Sequence, residues 1–196
     1  MGKGRVEAFS DGVLAIIITI MVLEMRVPHG DSLTALEPLI LIFVSYILSF
    51  INIGIYWNNH HHMMHAVQKV NGTALWANIH LLFWLSLIPF ASGWMGENHF
   101  SRWPMILYGI ILEMAGIAYY ILAHALIRLT ENSTLAIAVG KDQKGIISVI
   151  IYPIGIGLCF ITPWLGFAMY VLVAAIWFIP DKRIEEKFAK QEKNVV

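Results

Sequence analysis

From Gly145 to Pro180 the chain runs for 36 residues without a charged side chain. A bilayer's hydrocarbon core is about 30 Å thick and is crossed by about 20 helical residues, so this stretch is too long for one span and too apolar for a soluble domain. Its natural break is Thr162-Pro163, since proline has no N–H to continue a helix and disfavours helical backbone in the residue before it. The stretch reads as a short helical hairpin. The same ruler applied to the whole sequence gives six segments, about 5 to 27, 37 to 64, 73 to 95, 103 to 128, 145 to 162 and 163 to 180. They make one transmembrane domain, residues 1 to 180. Loops such as MRVPHGDSLTALE, QKVNGT, GENHFSRWP and LTENSTLAIAVGKDQK leave no room for a soluble domain, and residues 181 to 196 form a charged tail expected in the cytoplasm. The expected fold class is an all-α membrane protein with six transmembrane helices.

Composition agrees. Hydrophobic residues are 58% of the 196, and charged residues 13%, where a soluble domain carries about a quarter. Zero formal net charge offers no basic surface to a polyanion, which excludes nucleic acid as a partner. Cys159 is the one cysteine and lies in an apolar segment, so no internal disulfide forms and it reads as a small packing residue. Lys3 and Arg5 precede an apolar run as in a signal peptide, but Ser10 and Asp11 interrupt that run and no small-x-small cleavage site follows. The first segment is read as a retained helix.

Lysine and arginine set the orientation. With the amino terminus inside, the inner side holds Lys3, Arg5, Lys69, Arg128, Lys141, Lys144, Lys182, Arg183, Lys187, Lys190 and Lys193, and the outer side only Arg26 and Arg102. Both termini are expected in the cytoplasm. No internal repeat is visible, which weakens an inverted-repeat transporter.

The first segment carries Glu7, Asp11 and Glu24. A charge at the bilayer centre costs roughly 2.5 to 3.5 kcal/mol on insertion scales, so such residues face protein or a watery path. Only Gly12 to Leu23 separate Asp11 from Glu24, about 18 Å of helix, too little to face lipid all round. At 100° per residue Gly12, Ile16, Thr19, Ile20 and Leu23 share one stripe. Spacing alone makes that stripe an ordinary helix-packing face. However, the second segment runs inward and ends in IYWNNHHHMMH at the depth of Arg5, Ser10 and Asp11, where the third begins with ALWANIH. Trp57, His60, His61, Asn78 and His80 there offer partners to Ser10 and Asp11, the condition under which buried polar groups are tolerated.

Arg5, Phe9, Ser10 and Asp11 in RVEAFSD resemble the RxxxFSD signature of the endosomal and lysosomal potassium channel family, transmembrane protein 175, in its prokaryotic single-repeat branch. GVLAIIITIMVLEMRVP after the signature, YWNNHH, LWAN and LIPF extend the likeness over roughly residues 5 to 90. The resemblance implies a potassium-permeable cation channel in a prokaryotic plasma membrane, with four first helices around a central pore. Animal relatives carry two six-helix repeats and dimerise; one signature and six spans imply a homotetramer, with membrane lipid around it and the cyclic closure that a ring pore needs. It places the narrowest point, a ring of bulky aliphatic side chains, at Ile16, with Ile20 and Leu23 extending the lining and Thr19 adding hydroxyls. No TVGYG-like loop exists, so the mechanism is not a carbonyl filter. A narrow isoleucine ring gates by dewetting and favours K⁺, which sheds water at lower cost, modestly over Na⁺.

The signature's expected role is support. Arg5 anchors the helix start and pairs with Glu7 or Asp11, Phe9 is a packing wedge, and Ser10 and Asp11 hydrogen-bond to Trp57, His60 or His61, and Asn78. The alternative for Asp11 is electrostatic, four carboxylates drawing cations to the inner mouth.

Other readings compete. His61 and His65, four apart on one helix face, invite a transition metal, but neither HExxH nor CxxC accompanies them, and no metal or other cofactor is expected beyond the permeant K⁺. A histidine-rich membrane hydroxylase needs its histidines clustered in inward loops, and the eight here are scattered, so neither an enzyme nor an organic substrate is expected. A proton-coupled transporter is the stronger rival, with Asp11, Glu113 and the inner histidines as a relay.

Overall fold

A computed structural model of the chain describes residues 2–67, 69–130 and 143–178. The charged tail 181 to 196 and its five cations, Lys141 and most of the loop before Lys144 lie outside the described residues. The fold is all-helical. Among the described residues no strand forms, and the sole sheet-type pairing is an isolated antiparallel bridge between Gly2 and Lys69.

Helix α1 runs Lys3–Leu23 and is 21 residues long, about 32 Å, enough to cross the hydrocarbon core. It stops four residues short of the expected end, because Val27 precedes Pro28 and is biased away from helical backbone. A 3₁₀ turn, Leu33–Leu39, contains Pro38 and leads into α2, Ile40–His65. Asn71 caps the next helix, its Oδ1 accepting the backbone N–H of Ala74 at 2.9 Å.

The third expected span is two helices, α3 Gly72–Ser86 and α4 Ile88–Glu97, broken at Leu87. Pro89 is the cause: it cannot donate to the carbonyl of Leu85, and its ring crowds that carbonyl. Together the pair still spans a membrane's length, Gly72–Glu97.

A tight turn joins α4 to α5, Arg102–Thr130. His99 and Phe100 both take positive φ there, 51° and 56°, and the Phe100 N–H donates to the Met95 carbonyl at 3.0 Å. This conformation, unusual for residues with a Cβ, buries the Phe100 ring, which stacks on Trp164 with centroids 5.1 Å apart and meets Phe167 edge-on at 4.9 Å.

The final stretch forms α6, Gln143–Leu158, and α7, Pro163–Phe178, each 16 residues. The hairpin turns over residues 159 to 162, so α6 ends four residues earlier than expected. The described part of each is about 24 Å long. Among the described residues four stretches are long and apolar enough to cross a membrane, Lys3–Leu23, Leu33–His65, Gly72–Glu97 and Arg102–Leu129, and α6 and α7 are shorter apolar helices over the residues described.

Packing is close where side chains are small. A Cβ on Gly96 would lie 2.7 Å from the Ile42 Cα, so α2 and α4 touch backbone to backbone. A Cβ on Gly109 would collide with the Tyr170 hydroxyl, which donates to the Met105 carbonyl at 3.2 Å. Ser49 of α2 donates to Ser92 of α4 at 2.9 Å and shares a hydrogen bond with Tyr108 of α5 at 3.0 Å, so three helices meet through buried hydroxyls.

Candidate functional site

Helix α1 packs on α2, α3 and α4 through one face only. Val6, Ser10, Leu14, Ile17 and Met21 are buried, at the i, i+4, i+7 intervals of a single helix side. The opposite side carries Gly12, Ile16, Thr19, Ile20 and Leu23. Ile16 is 58% exposed and Leu23 76%, and nothing in the chain lies within 4 Å of where a Gly12 Cβ would sit. Leaving large aliphatic side chains on one uncovered stripe, with a helix that is otherwise packed, is the signature of a face meant for lipid or another chain.

Two consecutive residues fix how α1 is turned. The Trp57 Nε1–H of α2 donates to Asp11 Oδ1 at 3.0 Å. One residue earlier, Asn78 Nδ2 of α3 donates to Ser10 Oγ at 2.9 Å, and Asn78 Oδ1 takes the Nε2–H of His60 of α2 at 2.8 Å. Ser10, Asn78 and His60 are all buried. The three helices meet at this end because the chain returns there: Gly2 bridges Lys69, and Lys3 Nζ reaches the His65 carbonyl at 3.5 Å. The segment between α2 and α3 is only six residues, so the end of one and the start of the other cannot separate.

The remaining polar residues of this end take other places. The His61 ring stacks between Trp57, at 6.3 Å, and His65, at 6.1 Å, while among the described residues Asp11 is bonded to Trp57. His80 accepts the Trp84 indole N–H at 3.0 Å. Arg5 is exposed, and no ion pair joins it to Glu7 or Asp11 among the described residues. Phe9 is 57% exposed, so within one chain it packs into no interior. No three His, Cys, Asp or Glu side chains group as a metal's ligand set among the described residues.

Thr19 is arranged in a particular way. Its hydroxyl donates to the carbonyls of Ala15 and Ile16, both at 3.0 Å. The hydrogen is held against the helix, so what Thr19 offers outward is an acceptor oxygen. Beside the stripe, α1 and α4 enclose an open groove of about 600 Å³ lined by Ile16, Ile20, Glu24, Phe90, Trp94 and Glu97. The part played by α4 was not visible from sequence; its signal is Pro89, which breaks the third span and starts the helix that packs on α1.

Known proteins resemble this chain in sequence and in fold. A family model described as endosomal/lysosomal potassium channel TMEM175 matches residues 5–89. A potassium channel of Chryseobacterium sp. (strain P1-3) is 57% identical over 187 residues, 95% of this chain and 97% of its own. A potassium channel of Streptomyces collinus is 30% identical over 88% of this chain and 89% of its own. The crystal structure of a lysosomal potassium-selective channel TMEM175 homolog from Chamaesiphon minutus superposes with a TM-score of 0.78 and 26% identity, over 90% of this chain and 96% of that one.

An apolar helical bundle with these relatives is a membrane channel, not an enzyme. The chain belongs to the TMEM175 potassium channel family.

Proposed function

We propose that four copies of the chain form a K⁺-permeable cation channel in a prokaryotic plasma membrane, both termini cytoplasmic, six helices per copy and α1 lining the pore. The observation that carries this reading is the division of α1 into a face held by hydrogen bonds and a face of Ile16, Thr19, Ile20 and Leu23 that the chain leaves uncovered. The groove between α1 and α4 supports assembly, since a neighbouring copy would cover its α4 wall, Phe90, Trp94 and Glu97, and leave Ile16 and Ile20 toward the pore.

In this channel Ile16 forms the constriction. Four isoleucine side chains at one level exclude water when the helices are close, and an ion that cannot keep its hydration shell does not pass. Tilting or turning of α1 widens the ring and admits a partly dehydrated ion, with K⁺ preferred modestly over Na⁺. The Thr19 oxygens, turned outward as acceptors, take over some of the lost water contacts. Ser10, Asp11, Trp57, His60 and Asn78 hold α1 at the rotation that presents this stripe, with His61 bracing the Trp57 ring and Arg5 anchoring the helix start. Phe9 wedges against the neighbouring copy.

A coupled transporter would use Asp11, Glu113 and the inner histidines in one relay. Asp11 is instead bonded to Trp57, and Glu113 belongs to a separate cavity. The test is K⁺ efflux from KCl-loaded liposomes bearing the purified protein, with Na⁺ or an impermeant cation outside and a protonophore to reveal charge movement. Passive K⁺ flux that does not saturate is expected. Flux that appears only under an imposed proton gradient overturns the channel reading.

A further inference from the structure

Midway along α5, Glu113 is not used by the arrangement around α1. Its Oε2 atom is buried and has no hydrogen-bond partner. Removing a carboxylate from water costs several kcal/mol unless a counter-charge or hydrogen bonds replace the water. Native structures rarely leave such an atom unmatched without a reason.

The carboxylate lines a cavity of about 450 Å³ between α2, α5, α6 and the end of α7. That volume lies in the range of small-molecule sites, which are mostly apolar with a few placed polar groups. The walls here are aromatic and aliphatic, with Tyr56, Tyr120, Tyr152 and Trp177 among them. Aromatic faces attract cations, and one wall already does so: Lys144 Nζ lies 5.9 Å from the centre of the Trp177 ring.

Several polar groups of the lining add acceptors beside the carboxylate. Asn52 and Asn59 each spend one amide N–H on a carbonyl, that of Leu48 at 3.0 Å and that of Ile55 at 2.8 Å, and keep the side-chain oxygen and the second N–H. His124 Nδ1 donates to the Tyr120 carbonyl at 2.9 Å, so the neutral ring presents Nε2 as an acceptor. The Trp177 N–H is taken by Ser148 Oγ at 2.8 Å, and the Ser148 hydroxyl by the Lys144 carbonyl at 2.8 Å. A cavity whose carboxylate oxygen is unpaired, whose amide oxygens and imidazole Nε2 add acceptors, and whose walls are aromatic fits a ligand that brings N–H donors and positive charge. A single carboxylate among aromatic rings is no cradle for a metal ion, which needs several hard ligands.

We propose that this cavity binds an amphiphilic ammonium ion, its N–H groups on the Glu113 carboxylate and its apolar body against the tyrosines. The site is distinct from the proposed pore and does not depend on that assignment. Gly116 stands at its wall, where an added Cβ would meet only the Tyr56 hydroxyl, at 3.7 Å. A larger residue there would occupy the space the ligand needs.

The experiment is calorimetric titration of the protein in nanodiscs with 4-phenylbutylammonium, its neutral isostere pentylbenzene and the anion 5-phenylpentanoate, with empty nanodiscs subtracted. The ammonium is expected to bind wild type about tenfold or more tighter than either analogue, the gain of one charge-assisted hydrogen bond. Glu113→Gln, nearly the same shape, should erase that preference, and Gly116→Leu should abolish binding. Equal affinity for ammonium and neutral isostere overturns the proposal, as does a Glu113→Gln protein that binds the ammonium unchanged. Binding lost in Asp11→Asn but kept in Glu113→Gln puts the cation at the inner end of α1 and overturns it equally.

Discussion

Trp57 and Asp11 are joined by a 3.0 Å hydrogen bond across 46 residues of sequence, and the next residue back, Ser10, is bonded to a different helix. Adjacent side chains on α1 point about 100° apart, so two bonds to two helices define a rotation that one bond could not. Replacing Trp57 with Phe keeps an aromatic ring, though a smaller one, and removes the donor. A loss of about 1 kcal/mol is expected, read as a fall of about 2 to 4 °C in the melting midpoint in detergent.

Asn78 should matter more. Its amide satisfies Ser10 and His60 at once, and all three are buried. Asn78→Ala leaves two buried polar groups without partners, and a cost of about 2 to 4 kcal/mol is expected. A double-mutant cycle with Ser10→Ala checks it: the pair should lose less than the sum of the two single changes.

Ile16→Asn is the direct test of the constriction. The tetramer should survive, with a native mass four times the 22.1 kDa chain, while reversal potentials in mixed K⁺ and Na⁺ show weaker discrimination. If Ile16 belongs instead to a contact between copies, the variant will dissociate, and any tetramer that remains will keep its permeability ratio.

For Thr19 the informative pair is Thr19→Ser and Thr19→Val. Serine keeps the acceptor oxygen and should preserve the K⁺ to Na⁺ ratio. Valine keeps the shape without the oxygen, and a lower ratio at similar conductance is expected from bi-ionic potentials.

Gly96→Ala tests packing away from α1. The new methyl would sit 2.7 Å from the Ile42 Cα, which is backbone and yields only if α2 and α4 move apart. A penalty of about 1 to 3 kcal/mol is expected for overpacking, visible as a lower melting midpoint. Gly12→Ala, where the chain leaves open space, should be neutral in the monomer.

Much of the fold can be read from hydropathy because length and apolarity are what a bilayer selects. The break at Leu87 cannot, since a hydropathy window passes over Pro89 in an apolar run, and the lost hydrogen bond is a matter of a single N–H. The α6 turn begins before Pro163 for a related reason: the Cys159 N–H still reaches the Gly155 carbonyl at 3.2 Å, but the Phe160 and Ile161 N–H groups have shifted to carbonyls three residues back. At the inner end of α1, helix direction alone brings Ser10, His60 and Asn78 to one depth. Which histidine faces Asn78 is beyond sequence, because His60, His61 and His62 point to different sides of α2 and its rotation is set by buried Leu48, Ile53 and Met64. Glu113 was visible as a charge in an apolar helix, but its cavity is made by residues of four helices that no local pattern connects.

The break at Leu87 makes the third span two levers and not one rod. The first lever, α3, carries Asn78, which holds Ser10 of α1, and the second, α4, lines the groove beside Ile16 and Ile20. Helices bend most readily where a proline has removed a backbone hydrogen bond. A change of angle at Leu87 would therefore move α4 along the uncovered stripe of α1 while the Asn78 anchor stays in place, and the third span becomes a joint between the part of α1 that is held and the part that is not.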